Sequence, residues 1–359
     1  MFRLIVLNGY NIGDELDDNT DIVMAAMRER AMNGTIGLDD LERAAAVVHA
    51  VMPPTPQYRW PLLCTRAGCE VWVKHENHTP AGAFKIRGGI VYMDELRRAQ
   101  PGVTGVVAAT RGNHGQSVAF AAVRAGLTAT IVVPEGNSVE KNAAMRAFGA
   151  ELIVHGHDFQ AALEHAIALA EARRLHMVQS FHPRLVAGVG SYALELFRGV
   201  PDLDAVYVPI GLGSGICGVM AARDAVGSTA EVIGVVAANA PAYALSFEAG
   251  EAVSTNAADT MADGMATRIP VPGAVEAIRA GASGVVRVTE DAIKAAMRHY
   301  FTDTHNVAEG AGAAPLAALL QERHRWQGRK VGLILSGGNV DRSVFQAVLQ
   351  EADTSEMGI

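Results

Sequence analysis

The chain has 359 residues, 50% of them hydrophobic and 19% charged, which is material for one large or two modest domains around an ample core. A formal net charge of -8 leaves no basic footprint for nucleic acid, and no run of about 18 apolar residues exists to span a membrane. The cysteines Cys64, Cys69 and Cys217 are an odd, sparse set, which fits a cytoplasmic protein with free thiols better than a disulfide scaffold.

The opening "MFRLIVLNGYNIGDELDD" lacks the apolar stretch and small-residue cleavage site of a signal peptide, so residues 1–36 read as an N-terminal extension. Met24, Met27 and Met32 within it read as helix core or leader. From Leu38 the pattern becomes regular. "LDDLERAAAVVHAV" (38–51) predicts an amphipathic helix with acids in its first turn, ended by "PPTP". "EVWVKHEN" (70–77) alternates as a strand does. Strand-then-helix units follow: strands at 103–109, 128–134 and 151–156, with helices at 114–125, 138–148 and 159–173. "AVYVPI" (205–210), "EVIGVVA" (231–237) and "VGLIL" (331–335) are continuous apolar runs, expected of strands covered on both faces. The alternation predicts an α/β fold with mainly parallel, twisted sheets flanked by helices.

Four short stretches stand out against this background. "HTPAGAFKIRGG" (78–89) places Lys85 among small and apolar neighbours, an unusual setting for a charge that ordinarily stays in water. "PIGLGSGIC" (209–217) joins a strand to a helix, and Gly211, Gly213 and Gly215 alternate with Leu212 and Ser214. Such a turn can aim backbone N–H groups and a helix N-terminus at one compact phosphate. Ile216 stands where a dinucleotide fingerprint needs glycine, and the Lys-Ser/Thr of a Walker loop is absent; a plain β–α turn is the competing reading. "AATRGNHGQS" (108–117) and "LILSGGNVD" (333–341) are further polar turns at the ends of strands, where open α/β sheets bind ligands. In the second, Asn339 reads as the opening of the next helix.

Taken in order, "PTP", "GAFKIRGG", "RGNHGQS", "GLGSG" and "SGGNVD" resemble the fold type II (tryptophan synthase β-like) pyridoxal-phosphate enzymes, in the threonine dehydratase and serine racemase branch. The resemblance runs from about Leu38 to Leu349. It implies a large cofactor-binding domain of residues 37–96 and 184–359, with a small mobile domain, 97–183, inserted in it. It implies that Lys85 forms the Schiff base with pyridoxal 5'-phosphate and acts as general base, that Phe84 flanks the ring, and that Asn113 bonds the ring's 3-oxygen. Gly211, Leu212, Gly213, Ser214 and Gly215 would hold the phosphate, and Ser336 would face the pyridine nitrogen. Thr110, Arg111, Asn113 and His114 would receive the substrate carboxylate. Glu309 falls where the family has an acid near the cofactor, although packing or capping explains it equally well. Gly190 and Ser191 follow a family pattern linking the lobes.

The implied reaction is β-elimination from a β-hydroxy amino acid, threonine or serine by default, giving a 2-oxo acid and ammonia. A neutral hydroxyl at Ser336 favours prompt loss of a β substituent over transamination. Arg111 replaces the serine that serves racemases as a second acid/base, and an always-charged guanidinium is a poor proton shuttle, which weighs against racemisation. Arg111 could instead pair with a second substrate carboxylate, as in 3-hydroxyaspartate, or make a structural ion pair. Phenylserine, a β-replacement synthase and a non-catalytic cofactor-binding protein are the other readings. No metal is expected: Val236 and Ala242 stand where racemase-like relatives carry carboxylates, and hard cations need several oxygen ligands. Asp263 in "ADG" and the "HENH" at 75–78 read as structural. The resemblance further implies a homodimer.

Overall fold

The computed structural model describes residues 36–351 and, ahead of them, the backbone of two short antiparallel strands, β1 (Ile5–Leu7) and β2 (Tyr10–Ile12). Met24, Met27 and Met32, and the rest of the expected extension up to residue 35, lie outside the described residues. The first helix among the described residues, Leu38–His49, buries Leu41, Ala44, Ala45 and Val48, the 3.6-residue stripe its sequence predicts. It starts where Asp40 accepts the Gly37 N–H at 3.0 Å.

Ten further strands follow: β3 (Gln57–Arg59), β4 (Glu70–His75), β5 (Gly105–Ala109), β6 (Thr128–Val133), β7 (Glu151–Val154), β8 (His176–Met177), β9 (Ala205–Pro209), β10 (Glu231–Ala237), β11 (Gly284–Val288) and β12 (Lys330–Leu335). They form two sheets. The six-stranded sheet has the order β11-β10-β9-β12-β4-β3, all parallel except the β3 edge. The four-stranded sheet, β7-β6-β5-β8, is parallel throughout. Every residue of β9 is buried, as are all but the first residue of β10 and β12, so their apolar runs are the centre of the larger core. A second core packs between the Lys85–Ala99 and Asn113–Arg124 helices and the smaller sheet.

The structure revises several boundaries. β4 ends at His75, and Glu76–His78 form a 3-10 turn. The sequence pattern did not disclose β3, β8 or β11. Asn339 does not open a helix, because Arg342–Gln350 starts only after Asp341. The reason is backbone pairing: Gly337 bridges Ala83, Phe84 N–H donates to Ser336 O, and Gly338 N–H donates to Gly82 O. Residues 336–338 are held extended against the Lys85 turn and cannot coil.

One buried ionic cluster braces the helix that carries Lys85. Arg87 is fully buried and donates to both oxygens of Glu76 (2.7 and 3.0 Å), to Glu195 (2.6 and 3.0 Å) and to Ser191 Oγ (3.0 Å). Lys74, also fully buried, pairs with the same Glu195. Ser191 in turn donates to Gly188 O, and a Cβ on Gly190 would stand 2.5 Å from Leu41 Cδ2, so both residues serve packing between helices. The three cysteines are free thiols.

Candidate active site

The Lys85 turn is shaped by Thr79, whose hydroxyl accepts from Ala83 N–H and donates to Ala83 O, both at 2.9 Å. Gly82 turns with φ +65°, a conformation that favours glycine. Lys85 is the first residue of its helix, and Ser117 Oγ donates to its carbonyl at 2.6 Å. Lys85 is half-buried, and its ammonium stands 5.0 Å from the Phe84 ring centroid. Burial lowers the Lys85 pKa to about 8, while the charge of Glu309 pulls the other way. A lysine so placed gives up its proton far more readily than one in water.

The glycine turn after β9 is held from outside. Thr267 Oγ1 donates to Gly211 O at 3.2 Å and Tyr243 OH donates to Leu212 O at 2.8 Å. Gly213 caps the Ser214–Ala225 helix with φ +101°. A Cβ on Gly211 would stand 2.3 Å from Gly264 O, and one on Gly213 would stand 2.8 Å from Ala274 Cβ, so only glycine fits at either. With two carbonyls turned outward, the first N–H groups of the helix, which have no acceptor within it, remain for an anion. Leu212 is half-buried against the larger core, and Ser214 and Gly215 are buried. The Cβ position of Gly215 lies 3.7 Å from the Phe84 ring. One aromatic ring therefore touches the glycine turn and neighbours the lysine ammonium.

The third turn follows β5. Thr110 Oγ1 accepts from Gly112 N–H (3.0 Å) and Gly115 N–H (3.2 Å), which shapes the loop before the Asn113–Arg124 helix. His114 is buried beside Lys85, its Nε2 without a hydrogen-bond partner, and burial together with the Lys85 charge lowers its pKa to about 3. Both causes favour the neutral imidazole. Asn113 Nδ2 donates to Glu309 Oε1 at 2.7 Å. Arg111 is exposed and makes no ion pair with a carboxylate among the described residues.

Glu309 precedes the Gly310–Gln321 helix but does not cap it with its side chain. It is buried, its Oε2 has no hydrogen-bond partner, and burial raises its pKa to about 7 against the opposing pull of Lys141. Ser336, also buried, ends β12 beside the Lys85 turn.

Two residues of this crevice escaped sequence reasoning. Lys141 is buried, pairs with Asp263, and has its Nζ 3.7 Å from Glu309 Oε2. Asn339 Nδ2 donates to Ala81 O (2.8 Å) and Asn113 Oδ1 (2.9 Å). Nothing in the sequence around Lys141 signals burial, and the polar turn at 333–341 does not show which of its residues reaches Asn113. Asp263, read as structural, is the Lys141 partner.

The donor set suits pyridoxal phosphate: an amine with a lowered pKa, a glycine turn whose first helix N–H groups have no acceptor within the helix, and an aromatic ring beside both. It does not suit a hard cation at the position weighed for one. Val236 and Ala242 are buried and apolar, and among the described residues no three His, Cys, Asp or Glu side chains are grouped to hold a metal. In the "HENH" stretch, His75 accepts from Trp60 Nε1 at 2.9 Å and His78 bonds Asn306 at 2.7 Å.

Comparison with known proteins agrees with this geometry. The family described as "Pyridoxal-phosphate dependent enzyme" matches residues 50–337. The L-threonine ammonia-lyase of Thermotoga maritima is 34% identical over 320 residues, covering 88% of this chain and 79% of that protein. The catabolic L-threonine dehydratase TdcB of Escherichia coli is 33% identical over 315 residues, 86% of this chain and 94% of that one. Maize serine racemase superposes with a TM-score of 0.83 at 27% identity, covering 88% of this chain and 97% of that structure.

Proposed function

The chain belongs to the pyridoxal-phosphate dependent enzymes, and on that premise we propose that it is an ammonia-lyase that dehydrates and deaminates L-threonine or L-serine. The observation that carries the reading is the Phe84 ring, which stands 5.0 Å from Lys85 Nζ and 3.7 Å from the Gly215 Cβ position. Lys85 Nζ and the turn thus neighbour one aromatic side chain, as a cofactor joined to the amine with its phosphate in the turn would require.

When bound, pyridoxal phosphate supplies an aldehyde for amine capture and a ring that draws electron density from the substrate Cα. Lys85 would hold the cofactor through its amine, and the same amine, when free, would accept the substrate Cα proton. The N–H groups of the 211–215 turn hold the phosphate. Asn113 would donate to the ring's 3-oxygen and Phe84 would flank the ring. Ser336 offers the ring nitrogen a neutral hydroxyl, which limits how long charge can be stored and favours loss of the β-hydroxyl. Thr110, Arg111, Asn113 and His114 receive the substrate carboxylate at the N-terminus of a helix, where anions are stabilised. Residues 97–183, built on the smaller sheet, close over the substrate and exclude water. The proposal extends, on the resemblance, to a homodimer acting on a free amino acid in the cytoplasm.

A second reading rests on Arg111, exposed and without a carboxylate partner among the described residues. A free guanidinium at this crevice suits a substrate with a second carboxylate, such as 3-hydroxyaspartate. Assay of 2-oxo acid release from a panel of amino acids tests both. Release from threonine and serine without an added nucleophile supports the first reading, and a preference for hydroxyaspartate that collapses in Arg111→Ala supports the second. Return of the opposite enantiomer alone, or product only with an added thiol, overturns both.

A further inference from the structure

Asn339 lies where three segments of the crevice meet. Its Nδ2 donates to Ala81 O at 2.8 Å and to Asn113 Oδ1 at 2.9 Å. A Cβ on Gly82 would stand 2.4 Å from Asn339 Oδ1, so the Lys85 turn has room for this side chain only because residue 82 is glycine. Asn113 Nδ2 donates onward to Glu309 Oε1 at 2.7 Å.

The chain of bonds has a direction. Ala81 O is a backbone carbonyl and can only accept, so the Asn339 atom facing it is the NH2 group. The same NH2 faces Asn113, and a donor there requires the Asn113 carbonyl oxygen opposite it. The Asn113 NH2 is thereby turned to the other side, toward Glu309. One of its two hydrogens serves the Glu309 carboxyl and the second remains for the crevice. An asparagine amide has two nearly isosteric orientations, and the fixed carbonyl of Ala81 selects one of them through Asn339.

We propose that Asn339 is a positioning residue: its amide fixes the side-chain orientation of Asn113 so that the Asn113 NH2 is presented to Glu309 and to the cofactor. The inference rests on the reading of Lys85 and Asn113 given above. It assigns to Asn339 no contact with the substrate.

The test uses the holoenzyme. In Asn339→Ala the visible absorption band of the bound cofactor should move or change intensity, and kcat/KM should fall by about tenfold, the effect of one lost buried hydrogen bond. In an Asn113→Ala background the same substitution should add no further spectral change, because Asn339 acts through Asn113. A role in folding alone would move Tm and leave the band where it was. An unchanged band in Asn339→Ala, or an undiminished effect in the Asn113→Ala background, overturns the proposal. If Asn339→Ala does not fold, Asn339→Asp is compared with Asn339→Asp/Glu309→Gln, which reverses donor and acceptor in the two bonds of Asn113, to residue 339 and to residue 309, and leaves Ala81 O without its donor in both variants. The double variant should be the more stable, and equal stability overturns the proposal. Absence of a visible band in the wild-type protein would instead reject the cofactor reading, and the stability comparison would still be readable.

Discussion

The side chain of Lys141 lies across the backbone of Gly112: a Cβ on Gly112 would stand 2.9 Å from Lys141 Cδ and 3.3 Å from its Nζ. Lys141 belongs to the Val139–Ala147 helix beside the smaller sheet, whereas its partners Asp263 and Glu309 lie against the larger core. The cation thus crosses the crevice directly above the Asn113 loop.

Gly112→Ala should push that flexible side chain aside. The crowded atoms include the ammonium as well as its methylenes, and moving it away from Asp263 and Glu309 should lower stability by about 1–3 kcal/mol. Activity should fall too, with kcat/KM down by about tenfold as the ammonium leaves Glu309. Thermal melting and steady-state kinetics on the same preparation check both halves, and a variant with full activity would show that the Lys141 placement is irrelevant.

Glu309 gives stability a pH dependence of known sign. Its folded pKa, raised to about 7 by burial, exceeds that of an exposed carboxyl. Between the ordinary carboxylate range and pH 7 the folded chain therefore binds more protons at this site than the unfolded chain. The contribution is full below that range and is lost as pH rises through about 7. Glu309→Gln should flatten the fall in Tm between pH 5 and 7.5, and an unaltered slope would assign the effect to another group.

Arg87 is the member of the buried cluster whose removal should matter most. Arg87→Met leaves Glu76 and Glu195 facing each other without their shared cation, which should cost about 3–5 kcal/mol. Glu195→Gln should cost less, since that side chain keeps some solvent contact and retains hydrogen-bonding oxygen. Denaturant midpoints would rank the two, and the opposite order would contradict this account.

Gly213 tests the phosphate turn. With φ +101° and Ala274 Cβ 2.8 Å from any added Cβ, Gly213→Ala should distort the start of the Ser214–Ala225 helix. Cofactor affinity should weaken at least about tenfold, consistent with loss of an oriented N–H group. The position of the visible band should stay unchanged, because Lys85 and Asn113 are untouched. Dialysis equilibrium with pyridoxal phosphate reads the affinity, and unaltered binding would remove the turn from the phosphate site.

The sequence disclosed those parts of the molecule that depend on local pattern. Apolar runs marked β9, β10 and β12, and alternating glycines marked the turn at 211–215, because backbone approach needs glycine wherever it occurs. Short or edge elements such as β3 and β8 carry too few residues for a period to show. Lys141 and Asn339 were illegible for a different reason. Each reaches the crevice through contacts more than a hundred residues away, Lys141 with Asp263 and Asn339 with Asn113, and no local pattern encodes such pairing. Local pattern alone places Asn339 at the start of a helix, which the pairing of Gly337 with Ala83 prevents.

The central claim is that the amine of Lys85, with its pKa lowered to about 8, carries the cofactor. Borohydride reduction of the holoenzyme followed by peptide mass mapping tests it most directly. The account predicts a single phosphopyridoxyl adduct, on the peptide containing Lys85. An adduct on Lys74 or Lys141 instead, or none at all, would contradict it.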